Sequence, residues 1–304
     1  MRKSYKKRDR YLQMETERDG VYVRFCDLHT HTNASDGSMT PSELVDYAKE
    51  KGLAAIAVTD HDTVDGLDEA MTRGRAVDQW VIPGIEISTV VDGCDVHIVG
   101  LFVDYHNSSF MAAVSKMTET REERNLQMIE RLAAAGYKIN RSDMDQYNGS
   151  VITRAHIGAA LIEQGYAKDL REALIKYMSK GTPGYVARVT PSAKECLAII
   201  HNAGGLAFVA HINRIDQNNP DHGMAICRRI LGEGADGLET RYSEYDDKWR
   251  LRTEELAAQF GVLRSGGSDF HGVYKKGLDL ATGYGDLEVP YSFLEEMVAH
   301  IRNR

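Results

Sequence analysis

From Val21 onward, short apolar runs alternate with amphipathic stretches, and the alternation predicts strands and helices in turn. Residues 21–26 read as a first strand. Thr40 in the N-cap place, Pro41 at the first helical position and Gly52 at the stop predict a helix over 41–51. Residues 53–58 read as a buried strand, 64–79 as a helix, and 80–86 and 96–103 as two further strands. The rhythm then changes. From about 108 to 185 the pattern is helical, with Met117, Ile129, Leu132, Leu161, Ile162, Leu170, Leu174 and Ile175 at the apolar positions. Gly181-Thr-Pro-Gly184 marks the exit. The earlier rhythm resumes with a helix over 192–202, a strand over 205–211, a helix over 224–232, a strand over 237–239, a helix over 245–260, a strand over 262–265 and a last helix over 291–302.

Strands alternating with helices predict an α/β protein built on a parallel sheet with right-handed crossovers. About seven strands, most ending in ionisable residues, favour a closed or nearly closed barrel, whose active site lies at the C-terminal strand ends. The expected organisation is a basic tail over 1–20, a first barrel segment over 21–107, a helical insertion over 108–188 that covers the active site, and a second barrel segment over 189–304.

The chemistry sits at the ends of the apolar runs. Nine potential metal ligands fall in short clusters: His29 and His31 after Asp27, then Asp36, His61, Glu86, His97, His211, and Asp269 with His271. His29 and His31 share one face of an extended segment, because side chains at i and i+2 point the same way. Asp60-His61-Asp62 ends a strand of small apolar residues, and buried ionisable groups there need compensation. Asp60 is expected to accept from an imidazole and orient it. Asp62 is expected to cap the following helix. Glu86 is a carboxylate placed to bridge two cations. Gly266 and Gly267, ahead of Asp269, permit close backbone approach. Imidazole with carboxylate suits Zn²⁺, Mn²⁺ or Fe²⁺, and so many ligands exceed the needs of one ion. The pattern predicts a multinuclear metal hydrolase. Glu239 and Arg241, after a strand end, are expected to support the ligands from outside. In the insertion, Arg154 and His156 are candidate phosphate contacts, since guanidinium groups match phosphate geometry. Lys180 and Arg188 are weaker candidates of the same type. His201, His222 and His300 fall in helices or their flanks and are expected not to be ligands.

The bulk properties narrow the partners. With 304 residues, 42% hydrophobic and 27% charged, the chain reads as an ordinary globular protein. A net charge of −8 argues against a broad duplex-binding surface, though not against a short nucleotide held locally. Cys26, Cys94, Cys196 and Cys227 are widely scattered and form no C-x-x-C pair, which predicts reduced thiols in a cytoplasmic enzyme. No stretch approaches the roughly 20 apolar residues of a membrane span, so no membrane partner is expected. Six Lys or Arg residues lie within the first ten, but no apolar run follows them; a disordered, solvated tail is expected rather than a signal peptide, with a nucleic-acid-facing arm as the alternative.

Asp27-Leu-His-Thr-His31, Ser35-Asp-Gly37, Thr59-Asp-His-Asp62, Gly84-Ile-Glu86, Asp95-Val-His-Ile-Val-Gly100 and Ser268-Asp-Phe-His271 together resemble the motifs of the PHP (polymerase and histidinol phosphatase) family. The resemblance covers about residues 24–104 and 190–300. It is strongest to the stand-alone bacterial branch, which includes nucleoside 3',5'-bisphosphate phosphatases and 5'-to-3' exoribonucleases acting on short RNA. Where some members carry a histidine in the first loop, this chain has Asp36.

The resemblance implies a distorted (βα)₇ TIM-like barrel and a centre of two or three divalent ions. It implies that His29, His31, Glu86 and Asp269 hold one ion, that Glu86, His97 and His211 hold a second with Glu86 bridging, and that Asp36, His61 and His271 hold a third. The expected activity is hydrolysis of nucleotide phosphate monoesters by a metal-bridging hydroxide, centred on Glu86 and Asp269. His211 or a metal-held water would protonate the leaving oxygen. The alternative is 5'-to-3' trimming of short RNA by the same centre. Amide hydrolysis fits less well, because the mid-barrel strand end carries His97 and no lysine. Histidinol phosphate hydrolysis and a non-catalytic role for the domain also fit less well.

Overall fold

The computed structural model describes residues 16–18, 21–144, 152–187 and 189–304. Most of the expected basic tail, together with Arg188, lies outside the described residues. Thr16–Arg18 (β1) pairs antiparallel with Val21–Val23 (β2) in a small separate ribbon. The strand expected over 21–26 is therefore divided, and only Cys26–Asp27 (β3) joins the main sheet.

That sheet has seven strands in the order β3-β4-β5-β6-β7-β8-β9. The others are Ala55–Val58 (β4), Trp80–Val91 (β5), Cys94–Leu101 (β6), Leu206–Val209 (β7), Gly237–Tyr242 (β8) and Leu263–Gly267 (β9). The sheet is not wholly parallel as expected: β6 runs antiparallel to both β5 and β7. Its cause is local. Asp92 and Gly93 both adopt left-handed backbone (φ 52° and 81°), the requirement of a two-residue type I′ hairpin turn. The Asp-Gly pair between two apolar runs was the sequence signal for that hairpin.

The first and last strands approach closely enough to make the sheet a nearly closed barrel. Leu28 N–H donates to the Gly266 carbonyl (3.1 Å), Asp269 N–H to the His29 carbonyl (2.9 Å) and His31 N–H to the Phe270 carbonyl (2.9 Å). A Cβ on Gly267 would lie 2.4 Å from both the Cβ and the backbone N of His29, so this approach requires glycine.

Strand alternation sorts the core into two layers. Ala55, Ala57, Ile82, Val99, Leu101, Leu206 and Phe208 pack inside the barrel with Phe293, Leu294 and Met297 of the last helix, Tyr291–Asn303. That helix closes the end where the parallel strands begin. Ile56, Val58, Ile85, Ile87, Val96, Ile98 and Val209 point outward, into a core shared with the flanking helices Pro41–Glu50 (α1), Leu67–Val77 (α2), Ala193–Asn202 and Pro220–Gly232. The expected caps on α1 are present: Thr40 and Glu43 form a reciprocal capping box, and Pro41 leads the helix.

The inserted helices are Ser108–Ala134 (α3), Arg154–Glu163 (α4) and Leu170–Tyr177 (α5). Phe110 and Val114 of α3 belong to the outer barrel core. Further along the same helix, Met128, Ile129 and Leu132 belong to a separate cluster with Ile157, Leu161 and Tyr177. One long helix thus carries the insertion on the barrel. Among the described residues no helix is long and apolar enough to cross a membrane.

Candidate metal centre

Inward-facing positions change character along each parallel strand. On β5 the sequence passes from Ile82 to Glu86, and both Glu86 and Ser88 are buried. β6 runs the other way, so its polar residue comes first: His97 precedes the inward Val99 and Leu101. The hairpin thereby delivers His97 to the same rim as Glu86. His29, His31 and Glu86 are completely buried.

Glu86 is the hub. Its Oε1 lies 2.8 Å from His97 Nδ1, 2.8 Å from His211 Nε2 and 3.4 Å from His29 Nε2. Its Oε2 lies 2.8 Å from His61 Nδ1 and 3.3 Å from His31 Nε2. Asp269 Oδ1 stands 3.2 Å from His31 Nε2 and 3.4 Å from His271 Nδ1, and Asp36 Oδ1 stands 3.3 Å from His271 Nε2. All nine candidate ligands therefore line one site. Donor atoms within 4.8 Å of one another group as His31, Asp36, His61 and His271; His29, His31 and Asp269; His29, Glu86 and His211; and His61, Glu86 and His97. The ring is continuous, with His29, His31, His61 and Glu86 each in two groups.

Electrostatics keep the carboxylates ionised. Burial alone would raise the Glu86 pKa, but His61, His97, His29 and the His211 hydrogen bond outweigh it and hold it well below the usual range. Burial likewise opposes Lys275, His271, His31 and His29 at Asp269, and those cations and donors prevail. Burial pushes His97 down to about 4, and burial with His271 and His61 holds His31 well below its ordinary value, whereas at His29 and His61 burial is outweighed, by Glu86 and Glu239 at the first and by Glu86 and Asp36 at the second, and both are raised. Metal coordination needs neutral imidazoles, so an ion bound here would take the place of the protons that the carboxylates draw to His29 and His61. Among the described residues, His29 Nε2, both ring nitrogens of His31, His61 Nδ1 and Glu86 Oε2 are buried with no partner in hydrogen-bonding geometry. Buried polar atoms are ordinarily partnered. Four such ring nitrogens and a carboxylate oxygen in one site fit divalent cations.

The surrounding groups hold this ring in place. Glu239 Oε1 meets His29 Nδ1 at 2.7 Å and its Oε2 accepts from the His211 backbone N–H at 2.6 Å, so one carboxylate orients two of the ring's residues. We expect Glu239→Ala to weaken metal affinity about 10- to 100-fold, measurable by titrating metal into the stripped protein. Asp27 joins β3 to the loop after β9, accepting from Ser268 N (2.9 Å) and Ala281 N (2.9 Å); burial raises its pKa to about 6. His211, Asp269 and Asp62 all have positive φ (28°, 55° and 54°), a concentration of strained backbone at the rim.

Several expected roles differ. Among the described residues Asp60 meets no imidazole: it accepts from Thr32 N and Oγ1 and from Ser35 Oγ, shaping the loop that carries Asp36. Asp62 does not cap α2, whose N-cap is Gly66; it accepts from Ser88 N (2.7 Å) and pairs with Arg121 of α3 (2.8 Å). Arg241 turns away to Glu254. Arg154 pairs with Asp95 at 3.2 Å, beside the strand that carries His97. His156 is buried in the capping box of α4, its Nδ1 accepting from Thr153 N–H (3.2 Å), with Asp36 and Arg121 close enough to act on it electrostatically. Lys180 is exposed. Tyr242, whose hydroxyl donates to Asp269 Oδ2 (2.9 Å), and Lys275, which pairs with the same oxygen, were not foreseen. Tyr242 lies beyond the expected end of β8, and Lys275 lies in a loop with no periodic signal.

A family model for the PHP domain matches residues 27–186. The chain is 33% identical over 262 residues to the 5'-3' exoribonuclease Rnm of Salmonella typhimurium, covering 83% of this chain and 87% of the relative. It is equally 33% identical over 262 residues to the 3',5'-nucleoside bisphosphate phosphatase of Chromobacterium violaceum, covering 84% and 90%. Among solved structures, a Bifidobacterium adolescentis protein inferred to be a metal-dependent phosphoesterase superposes with a TM-score of 0.79 at 27% identity, covering 91% of this chain and 96% of that one. A Chromobacterium violaceum protein described as an amidohydrolase, with bound sulfate, gives 0.78 at 31% identity, covering 90% and 96%. With its barrel, its buried ring of imidazoles and carboxylates and these relatives, the chain belongs to the PHP-domain family and is a metal-dependent phosphoesterase, a hydrolase of phosphate ester bonds.

Proposed function

We propose that this phosphoesterase removes a phosphate from nucleotide monoesters, with 3',5'-bisphosphates as the preferred class. The observation that carries the reading is the hub: one buried carboxylate, Glu86, facing five imidazoles, with partnerless donor atoms around it. In this reading His29, His31, Glu86 and Asp269 hold a first divalent ion, Glu86, His97 and His211 a second, and Asp36, His61 and His271 a third. A donor set of nitrogen and oxygen alone suits Mn²⁺, Fe²⁺ or Zn²⁺. Such ions lower the pKa of water towards neutrality and neutralise charge on phosphoryl oxygens.

The chain's own contribution is position and field. Glu239 fixes the His29 ring, and Tyr242 and Lys275 fix the Asp269 carboxylate. Arg154 and His156 are assigned to the phosphate that is not cleaved. What supports that assignment is their place on the first turn of α4, with Arg154 bonded to the strand of His97 and His156 within electrostatic reach of Asp36.

A second reading, trimming of short RNA from its 5' end, is favoured by a separate observation. A cavity of about 470 Å³ lies between α3 and the helix Ala193–Asn202, lined by Lys116, Arg121 and Arg124 and by Asp62, Ser88 and Glu195. It offers room beyond a single nucleotide, with Lys116 beside apolar walls of Met117, Val189 and Ile199, and basic groups along a groove are one of the means of holding single strands.

The test is phosphate release by the Mn²⁺-loaded protein from adenosine 3',5'-bisphosphate, beside 5'-AMP, histidinol phosphate and a short 5'-phosphorylated RNA. Release confined to the bisphosphate is the expected result. Mononucleotides trimmed from the RNA would establish the second reading instead. Silence on all four with metal bound would overturn the substrate class.

A further inference from the structure

We propose that Cys94, Asp216 and His222 form a second, separate divalent-cation site of zinc type on the outer face of the β5–β6 hairpin. One donor atom from each of the three lies within 4.8 Å of the other two. They come from three places: Cys94 opens β6, Asp216 precedes the helix Pro220–Gly232, and His222 sits in that helix's first turn. Strand alternation separates this site from the main centre. Cys94, Val96 and Ile98 face the outer core, whereas His97 and Val99 face the barrel interior.

The arrangement has the parts of a ligand set. Asp216 Oδ2 meets His222 Nδ1 at 2.9 Å, and its Oδ1 accepts from the N–H groups of Asn218 and Asn219, so carboxylate and ring are both held. Asp92 Oδ2, fixed by Arg229 at 3.0 Å, lies 3.9 Å from His222 Nε2, the ring nitrogen opposite the one that meets Asp216, and stands outside the donor group. Thiolate, imidazole and carboxylate suit Zn²⁺ or Co²⁺ with solvent as the fourth ligand, at bond lengths of roughly 2.0–2.3 Å. Side chains that are only part-buried have the freedom to close that far. The other three thiols, Cys26, Cys196 and Cys227, are buried and belong to no such group.

Local charge points the same way. Burial and then Asp216, Asp92 and Asp95 raise the Cys94 thiol above its ordinary pKa, since a thiolate would join three carboxylates. A divalent ion reverses that repulsion: the thiol proton leaves to solvent as the sulfur–metal bond forms. A bound ion would pin the hairpin that carries Glu86 and His97 to the neighbouring helix.

The main centre has no sulfur ligand, so a thiolate-to-cobalt charge-transfer band reports the new site alone. Co²⁺ titrated into the metal-stripped full chain is expected to produce that near-ultraviolet band. Cys94→Ser should abolish the band, bind one Co²⁺ fewer and still release phosphate at the wild-type rate. His222→Ala should move the band's midpoint to more than about tenfold higher Co²⁺, beyond the lower loss expected even of an outer partner. No band with the main centre filled, a band that survives Cys94→Ser, or a midpoint unmoved by His222→Ala would each overturn the proposal.

Discussion

Replacing Asp269 with alanine is expected to reduce phosphate release by about 10³-fold or more, equivalent to roughly 4 kcal/mol of transition-state stabilisation. The effect has three sources. The carboxylate faces His31 Nε2 at 3.2 Å and His271 Nδ1 at 3.4 Å, so its loss removes a donor from the middle of the ring. It also balances Lys275. Without it, an ammonium group stands beside buried imidazoles in the place that favours a cation, and metal is repelled. Third, Asp269 holds φ 55°, a left-handed conformation that aspartate tolerates better than alanine, at a cost of about 1–2 kcal/mol. Metal content distinguishes loss of the centre from loss of the fold. A ligand that binds only the folded state at one hundred times its dissociation constant stabilises by about 2.7 kcal/mol. Chelator should therefore lower the melting temperature of the wild type by more than that of Asp269→Ala. An active Asp269→Ala protein that retains its metal would refute the assignment of this carboxylate.

Much of this site was legible because barrel chemistry puts ionisable residues where apolar runs stop. His61, Glu86 and His211 announce themselves that way, and the i, i+2 spacing of His29 and His31 places both rings on one side. His97 was the harder case. It begins an apolar run instead of ending one, and only the antiparallel course of β6 explains how it reaches the rim. Asp92-Gly93 carried that information, but a strand-helix rhythm read as uniformly parallel overrode it. What stayed hidden was whatever depends on distance across the barrel. Glu239 was placed beside the ligands, yet its grip on both His29 and the His211 backbone joins strands far apart in sequence. Asp60 and Asp62 were visible as charged residues and mistaken in role, because their partners, the first loop and Arg121 of the inserted helix, lie 25 to 59 residues away. Tyr242 and Lys275 had no pattern at all; they matter because β8 is longer than its apolar run and a loop returns over Asp269.

The seam between β3 and β9 carries the largest expected stability effect. Gly267→Ala adds one methyl group, but it arrives 2.4 Å from the Cβ and backbone N of His29 and 2.8 Å from its Cα. No rotamer relieves this, because the obstacle is backbone. The strands must part, weakening the bonds from Leu28 N to Gly266 O and from Asp269 N to His29 O that close the barrel. Overpacking a well-packed core costs typically about 1–3 kcal/mol, and a clash with backbone at a closure point belongs at or above the top of that range. His29 and Asp269 flank the seam, so the same shift moves two candidate ligands apart and lowers metal affinity in whatever fraction folds. Gly232 provides the control. It ends an exposed helical turn, and a Cβ there meets nothing within 4 Å. Alanine at that position should be neutral or stabilising by up to about 1 kcal/mol, since it lowers the entropy of the unfolded chain. Urea unfolding of the two variants beside the wild type reads both effects. Equal midpoints for Gly267→Ala and wild type would mean that the barrel is not closed across these two strands as tightly as the geometry requires.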